Sequence, residues 1–189
     1  MAVEIELKAR VRDCEGMKTS VQRIAAYTRT VLQKDSIIDY ADGRLKKSGK
    51  ALRIRQVEVI HGKGSGQKKT IITLKGKRRD SGAAVKQREE EELEALAEVA
   101  EVFEAAKELG LGVSLSYEKL REDYDAGEIK ICIDSFPRHP ALGHFIEIEA
   151  PTEKLVKWAA NEIGIGKADV VKETYPEIVG KAVAAAKKR

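Results

Sequence analysis

The chain is poor in the residues that most often mark a function. Of its 189 residues only two are cysteines, Cys14 and Cys132, far apart and without metal-ligand spacing. That excludes a disulfide framework and a thiolate metal site, and reads as reduced thiols in a cytoplasmic protein. The three histidines, His61, His139 and His144, follow no HExxH or similar pattern and fall in or beside predicted loops, so they read as surface residues. Aromatic residues make up 5% of the chain, which argues against the stacking platforms that single-stranded nucleic acid needs. No apolar run reaches the roughly 18 residues of a membrane span, and the N-terminus lacks a signal-peptide core. The glycine-rich stretch His61–Gln67 contains GKGSG. It lacks the GxxxxGKS or GxxxxGKT order and opens no helix, so it is a turn and not a phosphate loop.

Charge is what the chain has in abundance. It is 35% charged yet 42% hydrophobic, too apolar for disorder and long enough for one domain with a real core. The net charge of +4 is mild and spread along the chain, apart from the tail Lys187-Lys188-Arg189. This is not a strong nucleic-acid signature. With no repeat, linker or composition boundary, residues 1–189 read as a single domain.

Period-two alternation and turn signals place strands near residues 3–11, 36–40, 51–60, 68–77, 85–93, 114–125, 128–135 and 144–150. Helices are expected over about 13–28, with Asp13 as N-cap and Met17, Val21 and Ile24 on one stripe, and over about 94–109, with Leu96, Val99, Phe103 and Ala106 inward. A third runs over about 152–163, with Leu155, Trp158, Ala159 and Ile163 inward, and a last helix follows Pro176. Short turns join most strands, so the sheet is mainly antiparallel and the class α+β; closing the sheet would remove its exposed edges.

The polar faces of these strands are unusual. In Val3–Arg10 the residues Val3, Ile5 and Leu7 share one face and Glu4, Glu6 and Lys8 the other. Arg53 and Arg55 flank Ile54, Lys119 and Arg121 flank Leu120, and Glu147 and Glu149 flank Ile148; Lys75 and Lys77 follow Thr73 on one face, and Lys86, Arg88, Glu90 and Glu92 occupy alternate positions of their strand. Asp134 shares its face with Lys130 and Cys132. An amphipathic strand facing water explains any one of these, but nearly every slot here is charged, and signs segregate by strand. Like charges side by side repel unless an opposite charge joins them. Acidic pairs suit a divalent metal and cationic pairs a phosphate chain, whose oxygens Arg contacts bidentately.

These elements resemble the CYTH superfamily, the triphosphate tunnel metalloenzymes. Its ExExK signature is present as Glu4, Glu6 and Lys8. Residues 38–55 resemble its strand, turn and basic strand; Thr73-Leu74-Lys75-Gly76-Lys77 resembles its TxKxK element, and Arg88–Glu92 its RxExE element. Lys119-Leu120-Arg121 resembles its KxR element, and Asp134 with Phe145–Glu149 its closing acidic strands. Two positions depart from the pattern: Ile38 stands where an aromatic is frequent, and His144 where an acid is frequent.

The resemblance implies a closed eight-stranded antiparallel β-barrel, a triphosphate tunnel, with flanking helices. It implies Mg²⁺ or Mn²⁺ held by Glu4, Glu6, Glu147 and Glu149, with Lys8, Glu4 and Glu6 as the catalytic set. Arg53, Arg55, Lys75, Lys77, Arg88, Lys119 and Arg121 would bind the substrate, while Glu90, Glu92 and Asp134 would serve a second metal or pair with the basic residues. The implied activity is metal-dependent phosphoryl transfer on a triphosphate. Hydrolysis of inorganic, thiamine or nucleoside triphosphate leads; the alternative is class IV-type adenylyl cyclase chemistry, making cyclic AMP and pyrophosphate from ATP. A non-catalytic polyphosphate or nucleotide sensor would keep the basic lining without the metal carboxylates. The expected partner is a triphosphate-containing small molecule, with neither membrane nor nucleic acid, and a homodimer is left open.

Overall fold

The computed structural model describes residues 2–79 and 85–186, with the side chains of residues 2–4, 78–79 and 86–87 outside that description. Eight strands form one antiparallel sheet: β1 (Ala2–Val11), β2 (Ala26–Tyr40), β3 (Ala51–Gly62), β4 (Lys68–Arg79), β5 (Lys86–Ala95), β6 (Leu111–Ala126), β7 (Ile129–Ser135) and β8 (His144–Glu149). Five helices flank it: α1 (Cys14–Val21), α2 (Arg44–Lys47), α3 (Val99–Glu108), α4 (Glu153–Glu162) and α5 (Tyr175–Ala186). The hydrogen-bonded order is β1-β5-β4-β3-β2-β6-β7-β8, and β8 returns to β1, so the strands form a barrel. Closure runs through β1 alone. Its residues Ala2–Glu6 pair with β5 and Glu6–Val11 with β8, so each seam is a short ladder.

The predicted hairpins form as expected. The stretch after Gly62 returns the chain from β3 into β4. At the β6–β7 reversal Gly127 takes a positive φ of 74°, which a residue with a Cβ adopts only at a cost, and its N–H donates to Asp125 Oδ1 at 2.7 Å.

Three helix expectations are corrected. The helix expected over 13–28 stops at Val21, because Thr28, Thr30 and Val31 are β-branched and the residues from Ala26 onward alternate as a strand. Strand β2 is therefore 15 residues long and not the short strand near 36–40. Helix α3 buries no residue; Leu96 precedes it and is fully exposed, while Val99, Val102, Phe103 and Ala106 are half-buried. In α4 the buried residues are Val156, Ala159 and Ala160, with Ile163 just beyond, and Trp158 is exposed. The indole sits at the edge of the apolar stripe, where its N–H meets water without a buried partner.

The main core lies outside the barrel wall. Leu7, Ala9 and Val11 of β1 join Ile129, Ile131 and Ile133 of β7 and Ile146 and Ile148 of β8 beneath Val21 of α1 and Val156, Ala159 and Ala160 of α4. A second cluster brings Tyr175, Ile178 and Val179 of α5 against Tyr117, Phe136 and Phe145. The first cluster covers the outside of the β1–β8–β7 wall, so the opposite, charged faces point into the barrel; Tyr117 and Phe145 of the second cluster lie on that inner face with Lys119 and Glu147, where α5 meets them.

Candidate active site in the barrel interior

Strand register sets the interior. Across the β1–β8 ladder Glu6 stands opposite Glu149 and Lys8 opposite Glu147. Across β1–β5 Glu4 stands opposite Arg88, although the Glu4 side chain lies outside the described residues. Across β4–β5 Lys75 faces Glu90 and Thr73 faces Glu92; across β6–β7 Arg121 faces Asp134. The register thus sets Glu6, Lys8, Thr73, Lys75, Glu90, Glu92, Arg121, Asp134, Glu147 and Glu149 on facing positions of neighbouring strands.

Two connected networks order this interior. In the first, Asp134 receives Lys119 at 3.1 Å and both arms of Arg121 at 2.7 and 2.6 Å, and the Tyr175 hydroxyl donates to it at 2.6 Å. Arg121 continues to Glu147, which also pairs with Lys8 at 3.2 Å. Lys119 and Asp134 are 0% exposed and Lys8 is 2% exposed, so these ions are stable only because each has partners. In the second, Arg53 Nη2 donates to Thr73 Oγ1 at 2.9 Å and to Glu92 Oε1 at 3.1 Å, and Lys75 pairs with Glu90. Glu90, Glu92 and Asp134, expected to serve a second metal or to pair with the basic residues, each pair with basic residues in this structure.

Burial and neighbouring charge tune these groups. Burial pulls the Lys119 ammonium down to about 8, Arg121 adds repulsion, and Asp134 and Glu147 offset only part of this. Burial alone would raise the Asp134 and Glu147 carboxyls. The surrounding cations, Arg121 and Lys119 for Asp134 and Lys8, Arg121 and Lys119 for Glu147, hold both below the usual carboxylate range.

Arg55, expected among the substrate-binding residues, is paired within the wall. Its Nε and Nη2 both reach Asp35, at 2.6 and 2.8 Å, in a buried bidentate pair. Burial of Asp35 is outweighed by the Arg55 charge and hydrogen bonds, which hold its carboxyl far below the ordinary value. Lys77 is exposed, and Arg88 donates to the carbonyls of Gly76 and Gly49, tying the loop before β3 to β4. Two buried polar atoms have no partner among the described residues: the Gln33 carbonyl oxygen Oε1 and Arg53 Nε. No three His, Cys, Asp or Glu side chains among the described residues group as a metal site.

Sequence reasoning missed Asp35, Gln33, Tyr117 and Tyr175. The signal for the first two was present, since Arg29, Val31, Gln33 and Asp35 alternate, but the helix expected through residue 28 and the strand expected from 36 hid it. Tyr175 gave no local signal; only α5 packing places it beside β7.

A family model of the CYTH domain matches residues 2–175. The chain belongs to the CYTH domain family. The fold of this CYTH protein is similar to that of the PH1819 protein from Pyrococcus horikoshii OT3, with a TM-score of 0.79 and 26% identity over 95% of this chain and 99% of that one. It is also similar to a candidate adenylate cyclase from Vibrio parahaemolyticus, with a TM-score of 0.75 and 21% identity over 94% and 97% of the two chains. A third similar structure is HpAC1 from Hippeastrum, a candidate adenylyl cyclase described as having a dominant triphosphatase activity. Its TM-score is 0.64 and its identity 18%, over 95% and 96% of the chains. At these last two identities the likeness is one of fold. No curated protein matches the chain.

Proposed function

We propose that this CYTH protein is a divalent-metal-dependent phosphoryl-transfer enzyme that holds a triphosphate in the barrel interior, and that its reaction is hydrolysis. The observation that carries the reading is Glu6 opposite Glu149 in an interior otherwise rich in cations. The β1–β8 ladder sets these two carboxylates side by side, with Lys86 opposite Glu6 and Lys130 opposite Glu149 on the neighbouring strands, and a paired set of carboxylate oxygens is what a divalent ion takes. Carboxylate oxygens are hard donors suited to Mg²⁺ or Mn²⁺, and Glu4 lies two residues along on the same strand face, so this donor set fits such an ion. Bound there, the ion supplies neutralisation of charge on phosphate oxygens.

The chain's own residues do the rest by binding and orienting. Arg53, whose buried Nε–H lacks a partner among the described residues, donates to a phosphate oxygen, and Lys75, Lys77, Arg88, Lys119 and Arg121 extend the cationic lining. Glu90, Glu92 and Asp134 keep Lys75, Arg53 and the Lys119–Arg121 pair aligned. Lys8 steadies Glu147, and Arg55 supports the wall through Asp35. Catalysis on this reading is positioning and charge stabilisation, with water as nucleophile at the terminal phosphorus.

Adenylyl cyclase chemistry is the second reading, favoured by the likeness to the Vibrio protein. It uses the same phosphate machinery but requires a pocket for the base and attack by the ribose 3′-hydroxyl at the α-phosphorus. The deciding experiment incubates the protein with Mg²⁺ or Mn²⁺ and, separately, inorganic triphosphate, thiamine triphosphate and ATP, and separates the products. Orthophosphate release is expected. Cyclic AMP with pyrophosphate would replace hydrolysis by the cyclase reading, and tight binding without turnover would make the protein a sensor.

A further inference from the structure

The segment joining α4 to α5 crosses the C-terminal half of β1 at Lys8. The Val171 N–H donates to the Lys8 carbonyl at 2.8 Å, and Val170 forms a bridge with Ala9. The Lys8 ammonium pairs with Glu147 at 3.2 Å, donates to the Glu173 carbonyl at 3.4 Å and lies 3.7 Å from the centroid of the Tyr175 ring. An ammonium has three N–H bonds, and these contacts occupy its surroundings. Lys119 lies over the same ring, 4.4 Å from its centroid. The Tyr175 hydroxyl reaches Asp134 Oδ2, the oxygen that Lys119 and Arg121 also reach. The ring itself is set edge-on to Phe136 and Phe145, with centroids 5.2 and 5.7 Å away. The CYTH match ends at residue 175, so the remainder of the helix that Tyr175 opens lies beyond it.

We propose that Tyr175 is a positioning residue of the interior site, holding the Lys8 and Lys119 ammonium groups through its aromatic ring, with the hydroxyl bond to Asp134 an accessory contact that the hold does not require. The face of a phenol ring is negative and attracts cations, most strongly where water is excluded. Here one ring serves two ammonium groups that would otherwise repel each other across a dry interior. Tyr175 reaches the phosphate chain only through these cations; helix α5 and the strap before it hold the ring at the end of the barrel. The effect on binding rests on the triphosphate reading above.

The test compares Tyr175→Phe, which keeps the ring, with Tyr175→Leu, which keeps apolar bulk and loses the ring, both in the full chain. Titration calorimetry with inorganic triphosphate in metal-free buffer, where no turnover is expected, should find Tyr175→Phe within about twofold of the parent and Tyr175→Leu weaker by about tenfold, the scale of one desolvated cation–π contact. Equal affinities for the two variants would overturn the proposal, since a residue that only fills space is served by either. If Tyr175→Leu does not fold, Tyr175→Met makes the same comparison. The ε-proton shifts of Lys8 and Lys119 by NMR need no ligand. Displacement by the ring should persist in Tyr175→Phe and vanish in Tyr175→Leu, and shifts unchanged in Tyr175→Leu would overturn the proposal. A parent that binds no triphosphate yet shows these shifts refutes the functional reading and leaves the positioning role standing.

Discussion

At the scale of single residues, the interior holds charges that support the wall and charges that the proposed reading assigns to a ligand. On that reading Glu6 and Glu149 belong to the second kind. Glu6→Gln keeps the shape and removes the charge, so metal-dependent phosphate release should fall at least about a hundredfold, the order of one electrostatic contribution to a transition state. Circular dichroism should stay unchanged; retained activity would remove Glu6 from the metal-binding set. Asp35 belongs to the first kind. Asp35→Asn leaves the buried Arg55 guanidinium without its counter-ion and should cost roughly 3–5 kcal/mol in urea unfolding. Because the folded carboxyl is held below its unfolded value near ~3.9, its contribution is complete above that pH and is lost as pH falls further. The gap between parent and variant should therefore narrow in acid.

Lys119 runs the other way. Its ammonium titrates at about 8 in the fold, below the ~10.4 of the unfolded chain. Between those values the unfolded state binds more protons, so this group makes the fold more stable as pH rises through that window. Triphosphate affinity should weaken over the same range as the cation is lost. Calorimetry from pH 7 to 9 should show an inflection near 8 that Lys119→Arg flattens, because guanidinium stays charged.

At the scale of elements, local signals located what local physics decides. Asp13 caps α1 as expected, its Oδ1 accepting the Gly16 N–H at 3.1 Å, and Thr152 caps α4 by accepting the Leu155 N–H. Asp13→Ala should cost about 1 kcal/mol by thermal unfolding without touching activity, since α1 lies outside the barrel. The errors came where a periodic pattern had no partner to test it. Leu96 fitted a helical stripe, but no opposing surface meets it, so it is exposed. The start of β2 read as the end of a helix until its pairing with β3 and β6 decided otherwise.

At the scale of the whole molecule, the barrel places networks from β1, β3, β4, β5, β6, β7 and β8 around one interior, so a polyanion bound there links strands distant in sequence. A ligand that binds only the folded state adds about 2.7 kcal/mol at a hundred times its Kd. Inorganic triphosphate with Mg²⁺ should therefore raise the Tm by several degrees in differential scanning fluorimetry, and orthophosphate at the same concentration should not.

The sequence by itself determined the strand faces, because side-chain direction alternates with period two whatever the fold, and hence which charges travel together: Glu4 with Glu6 and Lys8, Arg53 with Arg55, Lys119 with Arg121, Glu147 with Glu149. It also held the order of elements by which the family is recognised. Only the tertiary structure decided which charged face meets which, because register and closure are set by pairing between distant strands. Register made Arg55 the partner of Asp35 and set Glu6 opposite Glu149, and the packing of α5 brought Tyr175 over Lys8 and Lys119.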